Sequence, residues 1–223
     1  MGKNKLFRFE ENKSFENLKQ PTREELFGQF ALKGNWNKDF FEKDQPIILE
    51  LGCGKGEYTL GLAQRYPEKN FIGIDIKGAR IWRGAKTAVE LQLKNVGFLR
   101  TQIEMLEWAF APNEIAEIWI TFPDPQIKFK RGKHRLTHPL FLEKYKKILQ
   151  PNGVIHLKTD SEFLHGYTHG IIEASGYQVE ISNHDIYHPD TQDIPTYLRE
   201  INTHYENLFL KEGKKITYIK FKL

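Results

Sequence analysis

The 223 residues carry 33 Lys and Arg against 29 Asp and Glu, a formal net charge of +4, and 39% hydrophobic residues. That length suits one α/β domain with a small appendage, and no apolar run approaches the roughly 18 residues of a membrane span. The single cysteine, Cys53, excludes an intrachain disulfide framework and a cysteine-rich zinc site, which fits a reducing compartment.

The first 20 residues, MGKNKLFRFEENKSFENLKQ, contain no apolar signal region, so a cytoplasmic protein is expected; monomer and homodimer stay open. Residues 1–45 are polar and irregular, with a short helical candidate at Pro21-Thr22-Arg23-Glu24-Glu25 and scattered aromatics including Trp36. They read as an N-terminal arm packed on a domain that runs from 46 to 223. From Pro46 a regular order begins. "PIILEL" (46–51) predicts a strand, "KGEYTLGLAQRY" a helix, "NFIGIDI" (70–76) a strand and "GARIWRGAKTAVELQLK" a long amphipathic helix. "VGFLR" (96–100), a helical "IEMLEWAF", "EIWITF" (117–122), a helical "HPLFLEKYKKIL" and, after the turn "PNG", "VIHLKT" (154–159) follow. Two last strands, "YQVEI" (177–181) and "KKITYIKFKL" (214–223), flank a helical "TYLREINTHYENLFLKEG". Strand and helix alternating with short connections predict an α/β, mostly parallel sheet with helices on both faces, closed by an antiparallel C-terminal edge.

Gly52, Gly54 and Gly56 stand directly after the first predicted strand of that sheet and before its helix, where open α/β sheets bind ligands. A dinucleotide fingerprint needs a third glycine where Glu57 stands, and that carboxylate would repel a pyrophosphate at the helix N-terminus. A phosphate-binding P-loop fails too, because Lys55 is followed by glycine. A ligand without phosphates remains. Glu50 precedes the loop and Asp75 ends the next strand, the usual place for a carboxylate that accepts from ribose hydroxyls. Two acids and bare glycine backbone suit a ligand with an amine, a sulfonium and a ribose, and S-adenosylmethionine is one. The E-x-G-x-G-x-G pattern with that second acid resembles the Rossmann-like class I methyltransferases. Cys53 reads as a small filler inside the loop.

"FPDPQIKFKRGKHRL" supplies the second constellation. Asp124 sits between Pro123 and Pro125, and Lys128, Lys130, Arg131, Lys133 and Arg135 follow with no acid among them. Such a run is either a solvated loop or a surface for a polyanion.

Over most of its length, from about Phe27 to the end, the chain resembles the bacterial tRNA (guanine-N7)-methyltransferases. The resemblance is carried by "ILELGCGKGEYTLGLA", "FIGIDIK", "FPDPQIKFKRGKHRLTHPLFLEKY", "HLKTD" and "THYENLFLKEGKKI", in that order. It implies a seven-stranded sheet, S-adenosylmethionine as cofactor, tRNA as partner, and methyl transfer to N7 of a variable-loop guanosine. It implies cofactor contacts at Glu50, Asp75, Gln102 and Asp124, with Asp124 catalytic, beside the cofactor loop of Gly52, Gly54 and Gly56 already read from the strand–loop–helix pattern. It implies substrate contacts at Lys128, Asp160, Thr203, His204, Tyr205 and Glu206; the charge of the basic loop gives Lys130, Arg131, Lys133 and Arg135 to tRNA phosphates. Two positions depart from the family pattern: Gln126-Ile127 where Trp-Pro or Trp-His is commoner, and Gln102 at a usually acidic position.

Other readings stay open: a methyltransferase of another RNA or of a small molecule, a noncatalytic RNA-binding module on this fold, and an aminopropyltransferase, whose cationic substrate the basic run would repel. An adenine-amine enzyme would carry Asn or Asp before Pro-Pro and an aromatic, which "PDPQ" lacks. Glu162, His165 and His169 share a helical face and His184, Asp185 and His188 cluster in sequence, but they fix no coordination sphere and no metal is expected. Trp82, Trp108 and Trp119 are expected in the core.

Overall fold

A computed structural model describes residues 3–192 and 194–223. The arm holds α1 (Lys3–Glu11), β1 (Leu18–Lys19) and α2 (Arg23–Gln29). Next come β2 (Ile47–Leu51), α3 (Glu57–Arg65), β3 (Asn70–Asp75), α4 (Gly78–Glu90), β4 (Val96–Arg100), α5 (Leu106–Ala109) and β5 (Ile115–Thr121). Then follow α6 (Pro139–Ile148), β6 (Leu149–Thr159), α7 (Glu162–Ser175), β7 (Gln178–Asn183), α8 (Tyr197–Glu200), α9 (His204–Lys211) and β8 (Thr217–Lys222). The strands order as β1-β4-β3-β2-β5-β6-β8-β7, parallel up to β6 and antiparallel across β8 and β7.

Because β2 to β4 are buried on both sides, their apolar residues run on rather than alternate with polar ones. Leu49, Leu51, Ile72 and Ile74 face one apolar layer; Ile48 and Phe71 face the other. Chain order reverses between β2 and β5, so the crevice at their carboxyl ends is a topological switch point, the place such sheets bind ligands.

Seven strands overlap the stretches the sequence places, although β6 begins at Leu149 and runs with a register shift through the expected 151–153 turn; the eighth is β1, in which Leu18 and Lys19 pair with Phe98 and Leu99. Two residues inside an otherwise polar stretch carry no strand periodicity. The arm is built into the core as well. Trp36 is fully buried, donates from Nε1 to the Ala109 carbonyl at 3.1 Å and stacks on Phe110, while Leu26 joins the same apolar layer. Trp108, expected in the core, is 41% exposed and rests edge-on against Phe27 of the arm. The stretch 196–213, expected as one helix, is two: α8 and α9 are separated at Ile201-Asn202-Thr203. Thr203 caps α9 by accepting from the Glu206 amide, and the Glu206 carboxylate turns back to the Thr203 amide. This reciprocal cap satisfies two orphan donors of a new helix start and ends the old one.

Candidate active site

Five of the parallel strands end on the same side of the sheet, and each carries a predicted site residue just past or at its end. The glycine loop follows β2, Asp75 ends β3, Gln102 follows β4, Asp124 follows β5 and Asp160 follows β6. The fold therefore brings to one edge residues separated by over a hundred positions.

The loop is fixed by its own backbone. Gly52 and Cys53 donate to the Ile74 carbonyl at 2.8 and 3.0 Å, and Gly52, Gly54 and Gly56 all take positive φ. At Gly56 a side chain would also meet the Phe98 ring at 2.7 Å, so only glycine lets the loop turn into α3 against β4. A Cβ at Gly52 would meet nothing within 4 Å, so the loop's outer surface is open to a ligand. Asp75 accepts from the Gly54 amide at 3.0 Å and from the Lys77 amide at 2.8 Å. Each oxygen keeps capacity for a further donor such as a ribose hydroxyl. Gln102 is exposed with no side-chain partner among the described residues. Cys53 is buried, and burial pushes its thiol well above the usual range, consistent with a filler. Open glycine backbone and free acceptor capacity fit S-adenosylmethionine.

Glu50 differs from the rest of that set. It is buried, with one oxygen accepting from the Thr121 hydroxyl at 2.5 Å and the other from the Thr59 amide at 2.8 Å and the Thr59 hydroxyl. It thus ties β5 to the start of α3 under the glycine loop. Burial pushes its pKa up to about 7 against the lowering effect of the Thr121 and Thr59 hydrogen bonds. A carboxyl raised from 4.5 to about 7 favours the folded protein in its protonated form. Wild-type stability should therefore fall between pH 4.5 and 7, by up to about 3 kcal/mol. Glu50→Gln is isosteric: its oxygen accepts from Thr59 and its NH2 donates to the Thr121 hydroxyl. The variant should match the wild type near pH 4.5 and exceed it above pH 7.5 in thermal or denaturant melts. A difference between the two that does not change with pH would contradict the raised pKa.

Asp124 is exposed, and its Oδ1 accepts from the Gln126 amide at 2.9 Å. Phe122 and Gln126, on either side, both adopt a φ of 47°, so two left-handed residues and two prolines set the carboxylate's direction. No ion pair involves Asp124 among the described residues, and its other oxygen stays free. Asp160 in contrast lies 3.2 Å from the Lys214 ammonium.

The basic run divides. Lys128, Lys130, Arg131 and Lys133 are exposed with no acidic partner among the described residues. Arg135, which the sequence grouped with them as a phosphate contact, is 8% exposed. It donates to the Pro125 and Gln126 carbonyls at 3.2 and 3.0 Å and lies over the Phe163 and Tyr167 rings. It holds the aspartate loop instead.

The 203–206 tetrad divides in the same way. Thr203 and Glu206, expected to touch substrate, are buried: Thr203 is the α9 cap, and Glu206 pairs with Lys158, both fully buried, at 2.7 Å. Lys158 also donates to the Leu198 carbonyl at 2.6 Å, and Tyr187 donates to Glu206 at 2.9 Å. His204 and Tyr205 are the exposed pair; the Tyr205 hydroxyl accepts from Arg80 at 3.2 Å, and the His204 amide donates to Glu57 at 2.9 Å. Glu57, which the sequence marked only as the acid that excludes a pyrophosphate, and Arg80, which it did not single out, line a cleft of about 400 Å³ with Lys55, Arg8 and Arg83 beside the glycine loop. Arg80 carries no sequence signal beyond a charge in the first turn of α4. A second cleft, about 530 Å³, lies wholly in the arm between Lys19 and Ala31 and includes none of the predicted residues.

His165, His169 and His184 do approach one another, with ring centroids 4.5 to 6.3 Å apart. Among the described residues, however, no group of three His, Cys, Asp or Glu is arranged to hold a metal ion. No described helix is long and apolar enough to cross a membrane.

Residues 44–219 match a family model described as a putative methyltransferase. The chain is 60% identical over 222 residues to the tRNA (guanine-N(7)-)-methyltransferase of Christiangramia forsetii, covering 99% of this chain and 98% of that one. It is 48% identical to the protein of the same name from Bacteroides thetaiotaomicron, covering 100% and 87%. Solved structures with the same fold include the 16S rRNA methyltransferase KamB, at a TM-score of 0.62 and 12% identity over 82% of this chain and 90% of that one. Another is a SAM-dependent methyltransferase from Aquifex aeolicus, at 0.53 and 19% over 95% and 96%.

Proposed function

The chain belongs to the family of tRNA (guanine-N7)-methyltransferases, and on that footing we propose that Asp124 is its catalytic residue and the exposed cations beyond it its tRNA grip. The protein is an S-adenosylmethionine-dependent methyltransferase that modifies guanine N7 in tRNA. The bound cofactor supplies an electrophilic methyl on a sulfonium. The glycine loop, Asp75 and Gln102 hold it, and Glu50 keeps the loop and β5 together from beneath.

Guanine N7 has an exposed lone pair and no proton, so the protein needs no strong general base. Positioning is the larger task, and a well-oriented bound pair gains roughly 7 to 11 kcal/mol from effective concentration. When N7 takes the methyl, positive charge spreads over the ring and its N1 and N2 hydrogens become better donors. A fixed carboxylate accepting from them binds the transition state more tightly than the ground state. The observation that carries this role is the free oxygen of Asp124, held after β5 at the switch-point crevice with no cationic partner among the described residues. Asp160, paired with Lys214, is the second acceptor. His204 and Tyr205 meet the substrate from α9, and Lys128, Lys130, Arg131 and Lys133 neutralise phosphates.

Incubating bulk tRNA with labelled S-adenosylmethionine and then cleaving chemically at 7-methylguanosine tests the activity. Label should enter tRNA and cleavage should follow at one guanosine. Label without cleavage would refute methylation at N7 while leaving methyl transfer intact.

A further inference from the structure

We propose that Phe129 stacks on an unpaired nucleobase of the bound tRNA, beside the guanine being methylated. The inference rests on the reading that this chain acts on tRNA. Phe129 is 97% exposed and Ile127 is 69% exposed, two large apolar side chains held in water a few residues beyond Asp124. Leaving such a side chain exposed forgoes the stabilisation of its burial, so the folded protein gains nothing from it.

The surroundings say what covers it. Lys128 and Lys130 flank Phe129, Arg131 and Lys133 follow, and none of these cations has an acidic partner among the described residues. An apolar protein surface would not match four uncompensated cations. A strand of unpaired nucleic acid matches both, because it offers flat base faces along a line of phosphates. Aromatic side chains set in a basic groove are how proteins hold unstacked RNA bases.

The turn that carries the ring is built. Gln126 takes a φ of 47°, and Arg135 fixes the Pro125 and Gln126 carbonyls from below. Residues Phe129–His134 form a 3-10 helix, within which the Arg131 amide donates to the Lys128 carbonyl at 2.8 Å. Phe129 is therefore presented from a defined turn on the loop that begins at Asp124.

Transfer to N7 supplies the reason for an aromatic there. A guanine that enters the switch-point crevice must leave its stack, which bares the face of a neighbouring base. A ring on the loop that follows Asp124 replaces the lost stacking partner.

Phe129→Ala, Phe129→Leu and Phe129→Trp, measured for tRNA binding over a salt series, separate stacking from other roles. Phe129→Ala should weaken tRNA binding about 5- to 150-fold, Phe129→Trp should bind as well as the wild type, and Phe129→Leu should recover little. The slope of affinity against salt should stay unchanged in all three, whereas changing Lys130, Arg131 and Lys133 to Ala should reduce it by about 0.7 to 0.9 per lost phosphate contact. Cofactor affinity should not move in any variant. Wild-type binding by Phe129→Ala, or equal binding by the Leu and Trp variants, would overturn the stacking role. If the wild type itself neither binds nor methylates tRNA, the activity reading falls and the stacking with it; if it does both, only the stacking is at stake.

Discussion

Glu206→Ala is expected to lower stability by about 3–5 kcal/mol, the usual result of stripping one member from a buried ion pair. Glu206 and Lys158 are fully buried and 2.7 Å apart. Without the carboxylate, the ammonium keeps among the described residues two neutral acceptors, the Leu198 carbonyl at 2.6 Å and the Ile201 carbonyl at 3.3 Å, and the faces of Tyr58 and Phe122. Burial already pushes the Lys158 pKa down while Glu206 pulls it up; removing Glu206 leaves only the first influence. The variant's Lys158 then has a folded pKa further below its unfolded value of about 10.4. Its penalty is full at pH values below that folded pKa and fades as pH rises toward the unfolded one. Denaturant melts should thus show a larger loss at pH 6 than at pH 9.5. A double replacement, Lys158→Met with Glu206→Leu, should recover much of the loss, since apolar pairs of similar volume often replace buried ion pairs without penalty. The measurement also decides what Glu206 does. A direct substrate contact would leave stability intact and reduce tRNA affinity alone, so a loss below about 1 kcal/mol would return Glu206 to the substrate.

That pair marks a limit of the sequence. The strands were legible because apolar runs of four to six residues between glycine and proline signals leave few alternatives. The site edge followed from them, since a glycine loop after one strand and acids after others must meet at the carboxyl ends of a parallel sheet. Thr203-His204-Tyr205-Glu206 was read as a substrate motif, yet its spacing is also that of a capping box, and the structure shows the cap. Lys158 carried a comparable signal: a lysine inside a strand with both faces covered must find a buried acid. Arg135 carried none. In sequence it is one more cation in a basic run, and only the folding of α7 brings Phe163 and Tyr167 beneath it. The β1 strand was equally silent, because two residues cannot display a period.

Asp124→Ala should reduce the single-turnover rate of methyl transfer by roughly 100- to 1,000-fold, the range found on removing one fixed group that stabilises developing charge. Asp124→Asn separates charge from geometry. Its side-chain oxygen can still accept from the Gln126 amide, the 2.9 Å contact that sets the turn, so the loop should keep its form while the negative charge is lost. If the carboxylate acts on the cationic ring, the Asn variant should be nearly as slow as the Ala variant and bind S-adenosylmethionine almost as the wild type does. If Asp124 instead orients the methionine end, cofactor affinity should drop in both variants, and saturating cofactor should restore the rate. Asp160→Asn provides the internal comparison. Its partner Lys214 lies 3.2 Å away and already offsets part of its charge, so its effect on the chemical step should be the smaller. Unchanged chemistry in both Asp124 variants would remove it from catalysis and leave its two prolines and two left-handed neighbours as the framework of the tRNA-binding loop alone.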